Sequence, residues 1–179
     1  MSRPIHILNG PNLNLLGERE PEIYGYDTLA SIEAAARRRA EGLGHDILFF
    51  QTNYEGAMVE KLHEARKAAA GVIINPAGWT FYSVAIMDAL KMIGAPKIEL
   101  HISNVHAREK VYHNSLVSPV VTAVIAGVGP YGYEIAVDAM ASLIHRHGPG
   151  LRRFLAGMLS APHEAEDIAQ ETFLRVWSA

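Results

Sequence analysis

The chain contains no cysteine, which excludes disulfides, thiolate metal sites and cysteine nucleophiles together and leaves any chemistry to oxygen and nitrogen groups. An excess of charge of either sign is also lacking. The formal net charge is −3, so no global field draws the molecule toward nucleic acid or anionic lipid. No uninterrupted apolar run approaches membrane-spanning length, and Met1-Ser2-Arg3-Pro4 leads straight into a strand-like segment instead of a signal core. A cytoplasmic protein is expected. Neither G-x-G-x-x-G nor G-x-x-x-x-G-K-[ST] occurs, so dinucleotide or triphosphate binding has no motif. The nine histidines are scattered, with His101 and His106 the nearest interior pair and no H-E-x-x-H, so neither a metal nor a cofactor is expected.

What is present is a soluble composition, 49% apolar and 20% charged over 179 residues, enough for one sizeable core. Short β-branched or aromatic runs recur at residues 5–8, 47–50, 72–74, 98–102 and 120–126, and each reads as a buried strand. Stretches with helical spacing lie between and after them at 29–43, 57–70, 83–93 and 133–144. This alternation predicts an α/β fold, a flavodoxin-like doubly wound five-stranded parallel sheet; the length excludes the eight units of a barrel.

In open α/β sheets, ligands sit beyond the carboxyl ends of the strands. The segments there are unusually polar. Asn9-Gly10-Pro11-Asn12-Leu13-Asn14 follows the first run, Gln51-Thr52-Asn53-Tyr54-Glu55-Gly56 the second, Asn75-Pro76-Ala77-Gly78 the third, and His101-Ile102-Ser103-Asn104 the fourth. Asn, Gly and Pro also build ordinary turns and caps, which explains any single loop. Four such loops on one edge offer amides, a hydroxyl and one imidazole, a set suited to an oxygenated small molecule. The segment 17–25, with Gly17, Pro21 and Gly25, reads as a loop able to fold over that edge. It carries Arg19 and Tyr24. A guanidinium beside a phenol favours the phenolate and makes it a general base, whereas Tyr24 as a packed loop aromatic and Arg19 as a partner of Glu18 or Glu22 are the structural alternatives.

These motifs in this order, with Leu15-Leu16-Gly17 and Glu99-Leu100-His101-Ile102-Ser103-Asn104, resemble the type II 3-dehydroquinate dehydratases over about residues 4–144. The resemblance implies a cofactor-free anti elimination of water through an enolate. It makes Tyr24 the base, Arg19 the cation that activates it, Asn12 the holder of a water at the enolate oxygen, and His101 the acid, oriented by Glu99. It assigns Asn75, the Ile102 backbone and Ser103 to substrate oxygens, lets Asp88 reach in from a neighbouring subunit, and implies a homododecamer of four trimers.

The chain departs from that family pattern at two positions. A histidine is usual where Phe81 stands, and an arginine where Tyr112 stands. Both changes remove hydrogen-bond donors, so Phe81 and Tyr112 are taken as substrate-binding positions of altered character. Three readings follow: a 3-dehydroquinate dehydratase, a relative acting on a less polar cyclic carbonyl compound, and a non-catalytic binding or regulatory protein.

Beyond the resemblance, Gly148-Pro149-Gly150 reads as a break, so residues 1–147 are expected to form the catalytic domain and 148–179 a helical extension. Helical spacing is expected at 151–159 and 164–176. Leu151-Arg152-Arg153-Phe154-Leu155, with the stretch from Ala165 to Trp177, resembles the opening of region 2 of extracytoplasmic-function sigma factors. The resemblance stops before the promoter-contacting portion, so DNA recognition is not expected.

Overall fold

The computed structural model describes residues 3–18 and 26–156, with side chains described through residue 146. Five strands, β1 (Ile5–Asn9), β2 (Ile47–Gln51), β3 (Gly71–Asn75), β4 (Lys97–His101) and β5 (Ala123–Ala126), form one sheet in the order β2-β1-β3-β4-β5. All pairings are parallel. Four helices connect or follow them: α1 (Leu29–Gly42), α2 (Glu55–Ala68), α3 (Val84–Lys91) and α4 (Gly132–Ala156). The doubly wound order expected from the alternation is the one adopted.

Strand side chains alternate between two cores. Ile5, Ile7, Ile73, Ile98 and Leu100 pack with Ile32 and Ala36 of α1 and with Ala136, Val137 and Met140 of α4. Leu8, Val72 and Ile74 pack on the other face with Met58 and Leu62 of α2 and Ile86 and Leu90 of α3. The helix starts are capped by side chains: the Thr28 hydroxyl accepts from the Ser31 backbone N–H at 3.1 Å, and that of Ser83 from Ile86 at 3.0 Å.

Two boundaries differ from the sequence expectation by more than a residue or two. The run at 120–126 is strand only from Ala123, because Pro119 sits in a 3-10 turn, Ser118–Val120, that delays pairing. The break expected at Gly148-Pro149-Gly150 is not taken, and α4 continues through it to Ala156. A proline within a helix forfeits one backbone donor. The second tail helix, expected at 164–176, lies outside the described residues.

Candidate active site

The carboxyl ends of β1, β3 and β4 open onto a cleft of about 460 Å³. Its lining includes Asn12, Asn53, Asn75, His101, Ile102 and Ser103 on a polar side and Trp79, Phe81, Tyr82 and Tyr112 on an aromatic side, with Arg108 beside them. The four polar loops singled out in the sequence therefore share one cleft.

Glu99 and His101 sit two residues apart on β4, so both point to the same face. Glu99 is 0% exposed and His101 6%. His101 Nε2 lies 2.9 Å from Glu99 Oε1, which leaves Nδ1 as the ring nitrogen open to a ligand in this ring setting. A bare buried carboxylate would be costly. Here Thr80 Oγ1 donates to Oε1 and Ser118 Oγ to Oε2, each in a short hydrogen bond, and Ser115 Oγ lies 3.2 Å from Oε1. Burial pushes the Glu99 carboxyl up, but the hydrogen bonds from His101, Ser118 and Thr80 outweigh it and hold the group below its usual range. Glu99 is thus a retained anion that aims the imidazole.

Asn75 ends β3, and its side chain is itself held. Asn75 Nδ2 donates to Tyr133 Oη at 3.1 Å, Tyr133 Oη donates to Asn9 Oδ1 at 2.6 Å, and Asn75 Oδ1 accepts from the Ala77 N–H at 3.2 Å. Tyr133 is fully buried, and burial raises its hydroxyl well above the usual phenol range against the opposing hydrogen bond from Asn75. It stays neutral and bridges two strand ends as donor and acceptor together.

Asn12 stands in the left-handed region at φ 65°, and its N–H donates to Asn53 Oδ1 at 2.9 Å. Ala77 shares that region at φ 50°, a strained position for a residue with a Cβ, at a cost of about 1 kcal/mol. Gly10 lets the first and third loops approach: a Cβ there would meet Pro76 O at 2.6 Å.

The aromatic side forms a column. The Phe81 ring stacks on His101 with centroids 6.3 Å apart, and Tyr112 meets Phe81 edge-on at 5.2 Å. Asp88 is on the exposed face of α3, 3.3 Å from Lys91 Nζ, and does not line its own chain's cleft. Arg19 and Tyr24 lie outside the described residues. The structure thus brings Asn12, Asn75, His101, Ile102, Ser103, Phe81 and Tyr112 to one cleft, with Glu99 directly behind. Sequence reasoning picked out Asn53 only through its loop and missed Thr80, Ser115, Ser118, Tyr133 and Arg108 as supporting residues. No spacing signal marks them, since their partners are mostly distant in the chain.

Comparison with known proteins places the chain among relatives. Residues 3–141 match the family model "Dehydroquinase class II", and residues 143–179 match "Sigma-70 region 2". A 3-dehydroquinate dehydratase of Cereibacter sphaeroides is 54% identical over 143 residues, covering 80% of this chain and 97% of the relative. A catabolic 3-dehydroquinase 1 of Aspergillus terreus is 52% identical over 141 residues, covering 79% and 93%. The crystal structure of the type II dehydroquinase from Propionibacterium acnes aligns with a TM-score of 0.76 at 46% identity, covering 79% of this chain and 98% of that one. By sequence and fold, the chain belongs to the class II dehydroquinase family.

Proposed function

We propose that the protein is a 3-dehydroquinate dehydratase, a hydro-lyase that converts 3-dehydroquinate to 3-dehydroshikimate by anti elimination of water. The observation that carries this reading is the buried Glu99–His101 pair at the floor of a cleft rich in amides, in a chain 54% identical to a protein of that name. The Tyr24 phenolate, favoured by Arg19, removes the proton next to the substrate ketone, and its electron pair forms the enolate. Asn12 holds a water against the developing oxygen. As the carbonyl re-forms, the electron pair makes the ring double bond and expels the β-hydroxyl, which leaves as water with the proton from His101. Asn75, the Ile102 backbone and Ser103 hold substrate oxygens, and Phe81 and Tyr112 face its ring. The reaction moves only protons and one hydroxyl, so the reading includes no cofactor or metal.

The same reading takes residues 1–147 as the catalytic unit and 148–179 as an extension, and places the protein in the cytoplasm. Among the described residues no helix is long and apolar enough to cross a membrane. It further takes the assembly to be a homododecamer, in which the exposed Asp88 serves a neighbouring subunit's cleft. Ultraviolet detection of the conjugated product from 3-dehydroquinate tests the activity. Turnover in the parent protein, with at least ~100-fold loss in Tyr24→Phe and in His101→Ala, is the expected result; folded parent protein without turnover refutes the assignment.

A further inference from the structure

Side chains alternate faces along a strand, so Asn9 continues the row of Ile5 and Ile7 on β1, and Asn75 that of Ile73 on β3, toward the face covered by α1 and α4. The register pairs Asn9 with Asn75 directly across the two strands. Two amides thus end an otherwise apolar layer, at 0% and 3% exposure, where each polar group calls for a partner. Tyr133, in the first turn of α4, hydrogen-bonds to both.

The polarity of this bridge is decided at its two ends, because a backbone carbonyl only accepts and a backbone N–H only donates. Asn9 Nδ2 donates to Phe50 O at 3.1 Å, so Asn9 turns Oδ1 toward Tyr133, and the phenol donates to it at 2.6 Å. Its single hydrogen is thereby committed. Tyr133 Oη can meet Asn75 only as an acceptor, and it receives Asn75 Nδ2 at 3.1 Å. At the far end the Ala77 N–H donates to Asn75 Oδ1 at 3.2 Å, which requires the same orientation of the amide. Reversal would set Asn75 Oδ1 against a hydroxyl with no hydrogen left and Nδ2 against a backbone N–H, and both bonds would be lost.

Of the three bridged side chains only Asn75 lines the cleft, and one of its Nδ2 hydrogens has no partner among the described residues. We propose that Tyr133 is a positioning residue for substrate binding: its hydroxyl, committed to Asn9, holds the Asn75 amide so that this remaining hydrogen is presented to a substrate oxygen. A donor oriented before the substrate arrives needs no reordering when it binds. This assignment rests on the reading of the cleft as the site for 3-dehydroquinate, with Asn75 as a contact to one of its oxygens.

The test is a double-mutant cycle on Tyr133 and Asn75, read by calorimetric binding of quinate, in which an alcohol replaces the substrate's ketone, and by steady-state kinetics where the parent protein turns over. Tyr133→Phe keeps the buried ring and deletes the hydroxyl. It is expected to weaken quinate binding about three- to tenfold and to raise KM with kcat changed less than about threefold. Asn75→Ala is expected to weaken quinate binding about tenfold or more. The variant Tyr133→Phe/Asn75→Ala is expected to bind within about twofold of Asn75→Ala alone. Asn9→Ala leaves the phenol in place and frees its hydrogen for Asn75 Oδ1, so it should weaken binding as Tyr133→Phe does, and it takes that variant's place in the cycle should Tyr133→Phe fail to fold. Additive losses in the double variant, unchanged binding in folded Tyr133→Phe, or a fall in kcat at unaltered KM overturns the proposal. Quinate binding is read without turnover, so a parent that binds quinate but lacks dehydratase activity refutes the functional assignment while the cycle still decides this one; a parent that does not bind quinate overturns both.

Discussion

At the scale of single residues, the acid role proposed for His101 calls for one buried carboxylate to stay ionised. Glu99 does so among donors from Thr80, Ser115, Ser118 and His101, and the hydrogen bonds from His101, Ser118 and Thr80 oppose the cost of burial. Glu99→Gln preserves shape but presents an amide donor to groups that already donate. Steady-state kinetics should give a kcat lower by ~100-fold with KM within about threefold, and denaturant unfolding a stability loss of about 2–4 kcal/mol. His6 presents the opposite situation. It is buried on β1, and neither ring nitrogen has a hydrogen-bond partner among the described residues. Burial, aided by Lys61 and opposed by Glu64, lowers its pKa from 6.5. The folded state thus resists protonation that the unfolded chain accepts, so stability falls as pH drops below 6.5 toward the lowered value. His6→Leu should flatten the dependence of the unfolding midpoint on pH across that window. An equally steep dependence in the variant would assign it to other groups, although not to Glu99, whose lowered carboxyl pKa acts at more acid pH.

At the scale of elements, the site depends on how closely the loops after β1 and β3 approach. The Gly10 N–H donates to Asn75 O at 2.8 Å, and no side chain fits between the two loops. Gly10→Ala would push Pro76 away and displace Asn12 and Asn75 together. The expected result is a loss of about 1–3 kcal/mol in denaturant unfolding, accompanied by reduced turnover. A variant with full activity would show that the loop spacing is less critical than the packing indicates. Helix α4 has a different division of labour. Tyr133, Ala136, Val137 and Met140 are buried in the core, with Leu143 and Ile144 packed against it. Removal of residues 148–179 leaves all of these in place, so the shortened chain should keep its melting temperature within a few degrees and its kcat within about twofold.

At the scale of the whole molecule, the dodecamer reading makes a direct prediction. Native mass spectrometry should give a particle of twelve chains, and Asp88→Ala should lower kcat/KM despite the distance of Asp88 from its own cleft; a monomeric active enzyme would sink both expectations. The sheet order and the alternation of strand and helix were legible in the sequence because hydrophobic periodicity is a property of neighbouring residues. The run at 5–8 and the spacing at 29–43 carry their own structural preference. The Asn-rich ends of the strands were legible as a site because parallel topology obliges them to share one edge. The cage around Glu99 was not. Thr80, Ser115 and Ser118 are 16 to 19 residues away and ordinary in type, and only the placement of their loops around β4 makes them donors to one carboxylate. The bridge from Asn9 through Tyr133 to Asn75 spans 124 residues at its longest step. The replacements Phe81 and Tyr112 could be read as lost donors, but not as a column of rings against His101. By itself the sequence determined the family, the strand and helix order and the residue types at the cleft, because these are set locally or by chain order. Tertiary structure alone decided which side chains support them, because such contacts exist only after distant loops are packed to within hydrogen-bonding distance.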